Sequence, residues 1–324
     1  MEIYVEYETV YGYSHYDIPY LLFIKETGSS LKSLFLKSIF FKPNIEFNGF
    51  SSLKSLKLEN VSISDEQIVS VMSNCSNLEK LTLIKCPRLS NIKISGPSPR
   101  LKYLRISYPY GEPCTLEKIS INARNLKTLD YCGPGHVSFL YENTPILNVC
   151  FTFWVCTGLY SSLVPAILKE LVLFVPVSKK NYSLWGLVNL LQASPYLHML
   201  ELNLLNLYAD KRTVTLMQKP RDLPLHLKEL RFGGFSGTSH ELKFISYLVK
   251  NAKALKKITI IDKRHYNRTP ENGSLLSDIY DLKEEAERVS RRVSDEIKEA
   301  TPSLFPWHWP LLKVIPPDVE LICV

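Results

Sequence analysis

Chemistry-bearing motifs are what this sequence most conspicuously lacks. Its seven cysteines contain no Cys-x-x-Cys pair and stand near no histidine pair at metal-ligand spacing, which excludes a readable zinc site. Cys75, Cys86, Cys114, Cys132, Cys150, Cys156 and Cys323 are scattered and odd in number, as expected of reduced thiols rather than a disulfide framework. Cys75, Cys86 and Cys132 fall at repeat corners, where a small thiol packs well. The seven histidines sit in no nucleophile, zinc or phosphate motif, so the reading is non-enzymatic, with no catalytic residue, metal or cofactor. Gly233-Gly234-Phe235-Ser236-Gly237 is glycine-rich but lacks the Lys-Ser/Thr pair of a phosphate cradle, and reads as a repeat turn needing positive φ.

Targeting signals are equally scarce. Glu2, Glu6 and Glu8 interrupt the N-terminal residues, so no secretory leader is visible. The most apolar stretch, residues 154–177, contains Pro165, Lys169 and Glu170 and reads as a buried strand with its approach, not a membrane span. The formal charge is +7, but lysine and arginine are dispersed rather than grouped with aromatics in a stripe. Neither nucleic acid nor a membrane is therefore expected as a partner. The expected location is intracellular, cytoplasmic or nuclear, which leaves the glycosylation sequons without consequence.

What the sequence does contain is one phrase, L-x-x-L-x-L, repeated ten times. Its copies open at Leu31, Leu53, Leu78, Leu101, Leu126, Ile146, Leu168, Leu197, Leu227 and Leu255, 20 to 30 residues apart. A period in this range with this internal spacing predicts a leucine-rich-repeat solenoid, a horseshoe of about ten turns in the α/β class. Each phrase supplies one short strand of a parallel concave sheet. Alternation, as in Ser55-Leu56-Lys57-Leu58, turns the leucines inward and the intervening side chains to the open face.

The linkers predict a mixed convex side. Ser64-Asp65-Glu66-Gln67 forms a capping box ahead of Ile68, Val71 and Met72 on one helical face. Between Leu83 and Ile146 the linkers instead hold half-period phrases, Leu89-x-x-Ile92-x-Ile94 and Leu116-x-x-Ile119-x-Ile121, with a weaker one around Val137 and Tyr141. These predict two strands per turn. Beyond Leu168 helices are expected again over 183–193 and 238–251, the latter opened by Thr238-x-x-Glu241 and buried through Leu242, Ile245, Leu248 and Val249. Residues 264–273 read as a loop and 281–300 as an amphipathic helix.

Several phrases resemble the plant F-box proteins that combine leucine-rich repeats with an FBD region. At the N-terminal end these are Tyr16-Asp17-Ile18-Pro19-Tyr20-Leu21-Leu22-Phe23 and Phe50-Ser51-Ser52-Leu53-Lys54-Ser55-Leu56. Towards the C-terminus they are Leu225-His226-Leu227-Lys228-Glu229-Leu230-Arg231-Phe232-Gly233-Gly234-Phe235 and Ile315-Pro316-Pro317-Asp318-Val319-Glu320-Leu321. The resemblance implies a leucine-rich-repeat region over 1–222 and an FBD-like region over 223–324 that completes and caps the solenoid. Two departures stand out: nothing resembles the F-box expected ahead of the repeats, and residues 301–312 are a proline and tryptophan segment.

The resemblance implies the substrate-recognition part of an SCF (Skp-cullin-F-box) ubiquitin ligase receptor. Its partner would be an unidentified protein substrate, with a Skp adaptor and cullin only if an F-box is supplied upstream. The alternative is a stand-alone scaffold, a decoy or a truncated product unable to join the ligase. The candidate partner-binding residues are Lys57, Lys80, Tyr103, Arg105 and Asp130 on the open face, where Lys57, Lys80 and Arg105 are expected to form a basic stripe on consecutive strands.

Overall fold

The computed structural model describes residues 2–6, 30–39, 50–95, 100–108, 114–134, 136–145, 148–153, 167–177, 184–206, 226–262 and 311–323. The chain divides into two compact units, Met1–Val149 and Cys150–Val324. Every one of the ten phrases is followed, two residues after it opens, by a strand.

In the first unit β1 (Glu2–Glu6), β2 (Ser33–Lys37) and β3 (Ser55–Glu59) pair in parallel. Next come α1 (Asp65–Asn74), β4 (Lys80–Ile84) and β5 (Asn91–Ile94), then β6 (Tyr103–Ser107), β7 (Lys118–Asn122), β8 (Thr128–Gly133) and β9 (Ser138–Glu142). The main sheet runs β1-β2-β3-β4-β6-β8, all parallel, and the half-period phrases form a second parallel sheet, β5-β7-β9. β10 (Asn148–Phe153) straddles the division between units, and its first amide bonds Lys127 O at 3.1 Å. The expected doubly stranded turns are thus present.

Alternation is what builds the core. Leu34, Leu36, Leu56, Leu58, Leu81, Leu83, Leu104 and Ile106 are all buried, one pair per strand. After β2, β3, β4 and β9 the chain turns through Ser38, Asn60, Lys85 and Asn143, each with φ between 45° and 55°. Only Asn among these is well suited to that conformation. Buried phenols close the corners: Tyr108 donates to Cys86 O at 2.7 Å and Tyr131 to Pro134 O at 2.9 Å.

α1 forms as its capping box predicts. Ser64 accepts from Gln67 N, Gln67 accepts from Ser64 N at 2.8 Å, and Ile68, Val71 and Met72 are buried. Its first residue does a second job, because the Asp65 carboxylate accepts from Ser90 N at 3.1 Å, Ser90 Oγ at 2.8 Å and Asn91 N at 2.9 Å. The helix thereby satisfies amides at the start of β5, where helical cover gives way to strand cover.

The second unit holds β11 (Glu170–Val177), α2 (Gly186–Ala193), β12 (Met199–Asn206), β13 (Glu229–Phe235), α3 (Ser239–Asn251), β14 (Lys257–Asp262) and β15 (Glu320–Cys323). The strands pair in parallel in that order. The segment expected to complete and cap the repeats contributes β15, an additional strand registered with β14 through Glu320 beside Lys257. The loop expected over 264–273, the helix over 281–300 and most of the segment 301–312 lie outside the described residues.

Two local expectations change here. α3 carries the predicted Thr238–Glu241 box, but it buries Glu241, Phe244, Ile245, Tyr247 and Leu248, while Leu242 and Val249 are half-buried. An aromatic cluster turns the face: Trp185 packs edge-on against Phe244 at 6.4 Å and Tyr247 at 5.3 Å. The glycine-rich phrase takes the expected positive φ at Gly234 and Gly237, and Ser236-Gly237 turns the chain from β13 into α3, but its first three residues form a bulge inside β13, where the register with β14 shifts. Gly234 has φ +72°, and a Cβ there would lie 2.3 Å from Leu204 O.

Candidate functional site

The open face of the first unit is a grid whose rows follow the strand register. One row reads Glu2, Ser33, Ser55, Lys80, Tyr103 and Thr128, and the row two residues on reads Tyr4, Phe35, Lys57, Thr82, Arg105 and Asp130. All five sequence-predicted residues lie on this face. They do not, however, form a bare basic stripe.

Each cation is met by a neighbour. Lys57 Nζ lies 2.9 Å from Glu59 Oε2 and 4.2 Å from the centre of the Phe35 ring. Lys80 Nζ sits 5.1 Å over the Tyr103 ring. Arg105 Nη1 is 3.7 Å from Asp130 Oδ2, and the same carboxylate oxygen accepts from the Tyr103 hydroxyl at 3.2 Å. Asp130 is only 4% exposed, so Tyr103, Arg105 and Asp130 form one buried-edge network rather than three separate contacts. Lys80, on the Tyr103 ring, is the exposed cation of the set.

Phe35 and Glu59 were not singled out from sequence. Phe35 occupies in its phrase the position Lys57 holds in the next, and Glu59 lies two residues beyond Lys57 on the same strand face, so superposing the phrases would have found both. At the edge of the sheet Tyr4 is 59% exposed and meets Phe35 edge-on at 4.4 Å. The face therefore runs from an exposed aromatic edge through cations seated on rings to a tyrosine–arginine–aspartate network. Such a surface has the aromatic and cationic groups that anchor protein partners.

The open face of the second unit differs. Its rows read Glu170, Met199, Glu229, Lys257 and Glu320, then Val172, Glu201, Arg231, Thr259 and Ile322. Arg231 bridges Glu229 at 2.9 Å and Glu201 at 3.6 Å. Burial opposes the Arg231 charge, yet the hydrogen bond and field of Glu229, then of Glu201, hold its pKa above the ordinary arginine value.

Among the described residues no group of His, Cys, Asp and Glu is placed to hold a metal, and no helix is long and apolar enough to cross a membrane. Cys75 and Cys86 are buried, and burial pushes both thiols up to about 12. They are packing groups, inert as nucleophiles at neutral pH.

Known proteins resemble this chain in sequence. The family described as At1g61320/AtMIF1, LRR domain, matches residues 2–153, and the FBD family matches residues 220–260. Residues 2–153 are a leucine-rich-repeat domain and residues 220–260 an FBD segment. This LRR–FBD chain is 37% identical over 119 residues to the F-box/LRR-repeat protein At3g03360 of Arabidopsis thaliana, covering 35% of the chain and 23% of that protein. It is 26% identical over 238 residues to the F-box/FBD/LRR-repeat protein At3g26920 of the same plant, covering 64% and 55%. The putative FBD-associated F-box protein At1g50980, also from Arabidopsis, is 25% identical over 244 residues, covering 72% and 62%. The LRR–FBD chain thus spans less than two thirds of each of these relatives, and no F-box is detected in it.

Proposed function

We propose that this chain is the recognition part of a substrate receptor of the SCF ubiquitin ligase type, acting in the cytoplasm or nucleus, and that it holds an acidic protein substrate on the open face of its first unit. The observation that carries the reading is the presentation of Lys57 and Lys80 on the rings of Phe35 and Tyr103, beside the exposed Tyr4. Rigid strands hold these groups, so little side-chain order remains to be lost on binding. Relatives named as F-box proteins support the ligase assignment, with docking to a Skp adaptor and cullin through an F-box supplied upstream.

The test replaces Lys57 and Lys80 with glutamate and leaves Arg105 alone, since an acid at 105 would face the buried Asp130 carboxylate and damage the fold. Partners recovered from Arabidopsis extract with the parent chain are rebound to purified parent and variant. The expected result is an acidic protein whose affinity falls at least tenfold in the variant while circular dichroism is unchanged. Equal affinity removes this face from consideration. A purified Skp adaptor mixed with this same chain is expected not to bind, and tight binding would contradict the upstream F-box.

A further inference from the structure

The strands of both units are preceded by a second register of side chains. In the second unit Lys169, His198, Lys228 and Lys256 stand immediately before β11, β12, β13 and β14. Their backbones are tied in one ladder: His198 N bonds Lys169 O, Lys228 N bonds His198 O and Lys256 N bonds Lys228 O, each at 2.8 Å. Neighbouring side chains are therefore about 4.8 Å apart, one strand spacing. Lys169, Lys228 and Lys256 are exposed and pair with no acid among the described residues. Like charges directly opposite each other on adjacent strands destabilise a sheet. Of the acids that follow in the strands, Glu229 is committed to Arg231, while Glu170 and Glu320, whose amide bonds Lys256 O at 2.8 Å, lie at the two ends of the row.

The same register in the first unit shows how a solenoid relieves this repulsion. It reads Lys32, Lys54, Glu79, Lys102 and Lys127, and Glu79 stands 3.9 Å from Lys54 and 2.7 Å from Lys102. The Lys102 hydrogen bond, with its charge, holds the Glu79 carboxyl below the usual carboxylate range. At the equivalent interior position the second unit has His198, whose pKa is held down by desolvation and then by Lys228, Lys169 and His226. The flanking residues differ too. Two places ahead of the cations the first unit has Ser30, Ser52, Asn77, Arg100 and Asn125, with Arg100 donating to Asn77 Oδ1 at 2.8 Å. The second has Ile167, 44% exposed, and Tyr196, 58% exposed and stacked on His226 at 6.4 Å.

We infer that the strand-leading edge of the second unit is a docking surface for an acidic amphipathic helix of a partner protein. Lys169 and Lys228 stand two strand spacings apart and Lys228 and Lys256 one, so carboxylates at i, i+7 and i+11 of a helix, about 10 Å and then about 6 Å apart, meet the three lysines while i+4 passes over His198. An extended peptide repeats same-side residues about every 6.8 Å and falls out of step within two strands. The apolar side of the helix then covers Ile167 and Tyr196, and the bound carboxylates supply to this row the acid that Glu79 supplies to Lys54 and Lys102 in the first unit. This edge is separate from the open-face residues discussed above and stands whether or not those bind.

The test measures fluorescence anisotropy of a labelled helical peptide carrying glutamates at i, i+4, i+7 and i+11 beside a leucine stripe, titrated with the full chain. A control peptide has the same composition with the glutamates spread around the helix. Binding of the patterned peptide is expected, at least tenfold tighter than the control. The variant Lys169→Ala/Lys228→Ala/Lys256→Ala, which changes only exposed side chains, is expected to lose at least tenfold, and Tyr196→Ser about threefold. The variant Lys57→Glu/Lys80→Glu is expected to bind as the parent does. No binding, equal binding of the control, an unaffected triple variant, or tighter binding of a single-stranded oligonucleotide than of the patterned peptide would each overturn the proposal.

Discussion

Two linkers of equal length stand on either side of β4 in the first unit and yet make different structures. Leu53 to Leu78 and Leu101 to Leu126 are both 25 residues apart. The former contains α1 and the latter β7. Length does not decide the cover; the apolar period does. Ile68, Val71 and Met72 recur at three and four and bury one helical stripe, whereas Leu116, Ile119 and Ile121 end in a period of two and bury one strand face. The second unit returns to helices, with Phe244, Ile245, Tyr247 and Leu248 buried. A repeat can therefore change its cover while its main strands keep their register, because the phrase and the linker bury separate faces.

The contrast between the units can be broken most severely at the β13 bulge of the second. Gly234→Ala sets a Cβ against the backbone oxygen of Leu204 and forces a left-handed residue, and is expected to cost about 2–4 kcal/mol in a urea titration. Gly133 in the first unit is the comparison without a positive φ: its added Cβ would lie 2.6 Å from the hydroxyl of the buried Tyr131, which is held by Pro134 O. Asp65→Ala tests the joint between helical and strand cover. Removing three hydrogen bonds at the start of β5 is expected to cost about 2 kcal/mol, with faster amide exchange at Ser90 and Asn91. The smallest change runs in the stabilising direction: Lys85→Gly relieves a residue at φ 52°, and a gain of about 1 kcal/mol in the same titration is expected. A loss there would mean that the Lys85 side chain contributes more than its backbone costs.

Much of the fold was legible because its determinants are local. Ten strands, two capping boxes and the half-period sheet follow from patterns within a dozen residues. The buried face of α3 was misjudged because Trp185 lies in the preceding turn, more than fifty residues before Tyr247, and helical periodicity alone carries no information about it. The candidate site was legible as to face and not as to charge. Lys57, Lys80, Tyr103, Arg105 and Asp130 all reach the open side, but the expectation of a free basic stripe ignored Glu59 and the contact between Arg105 and Asp130.

The sequence by itself determined which side chains face inward and how often the chain turns, since alternation along a strand is set by backbone geometry within each phrase. The tertiary structure decided which charges are neutralised. Arg105 and Asp130 are partners because parallel strands 25 residues apart come to lie side by side in register. Lys228 lacks the acid that Glu79 gives to Lys102 because a histidine occupies the neighbouring strand. Burial is a property of one phrase, whereas electrostatic balance is a property of neighbours that only stacking brings together.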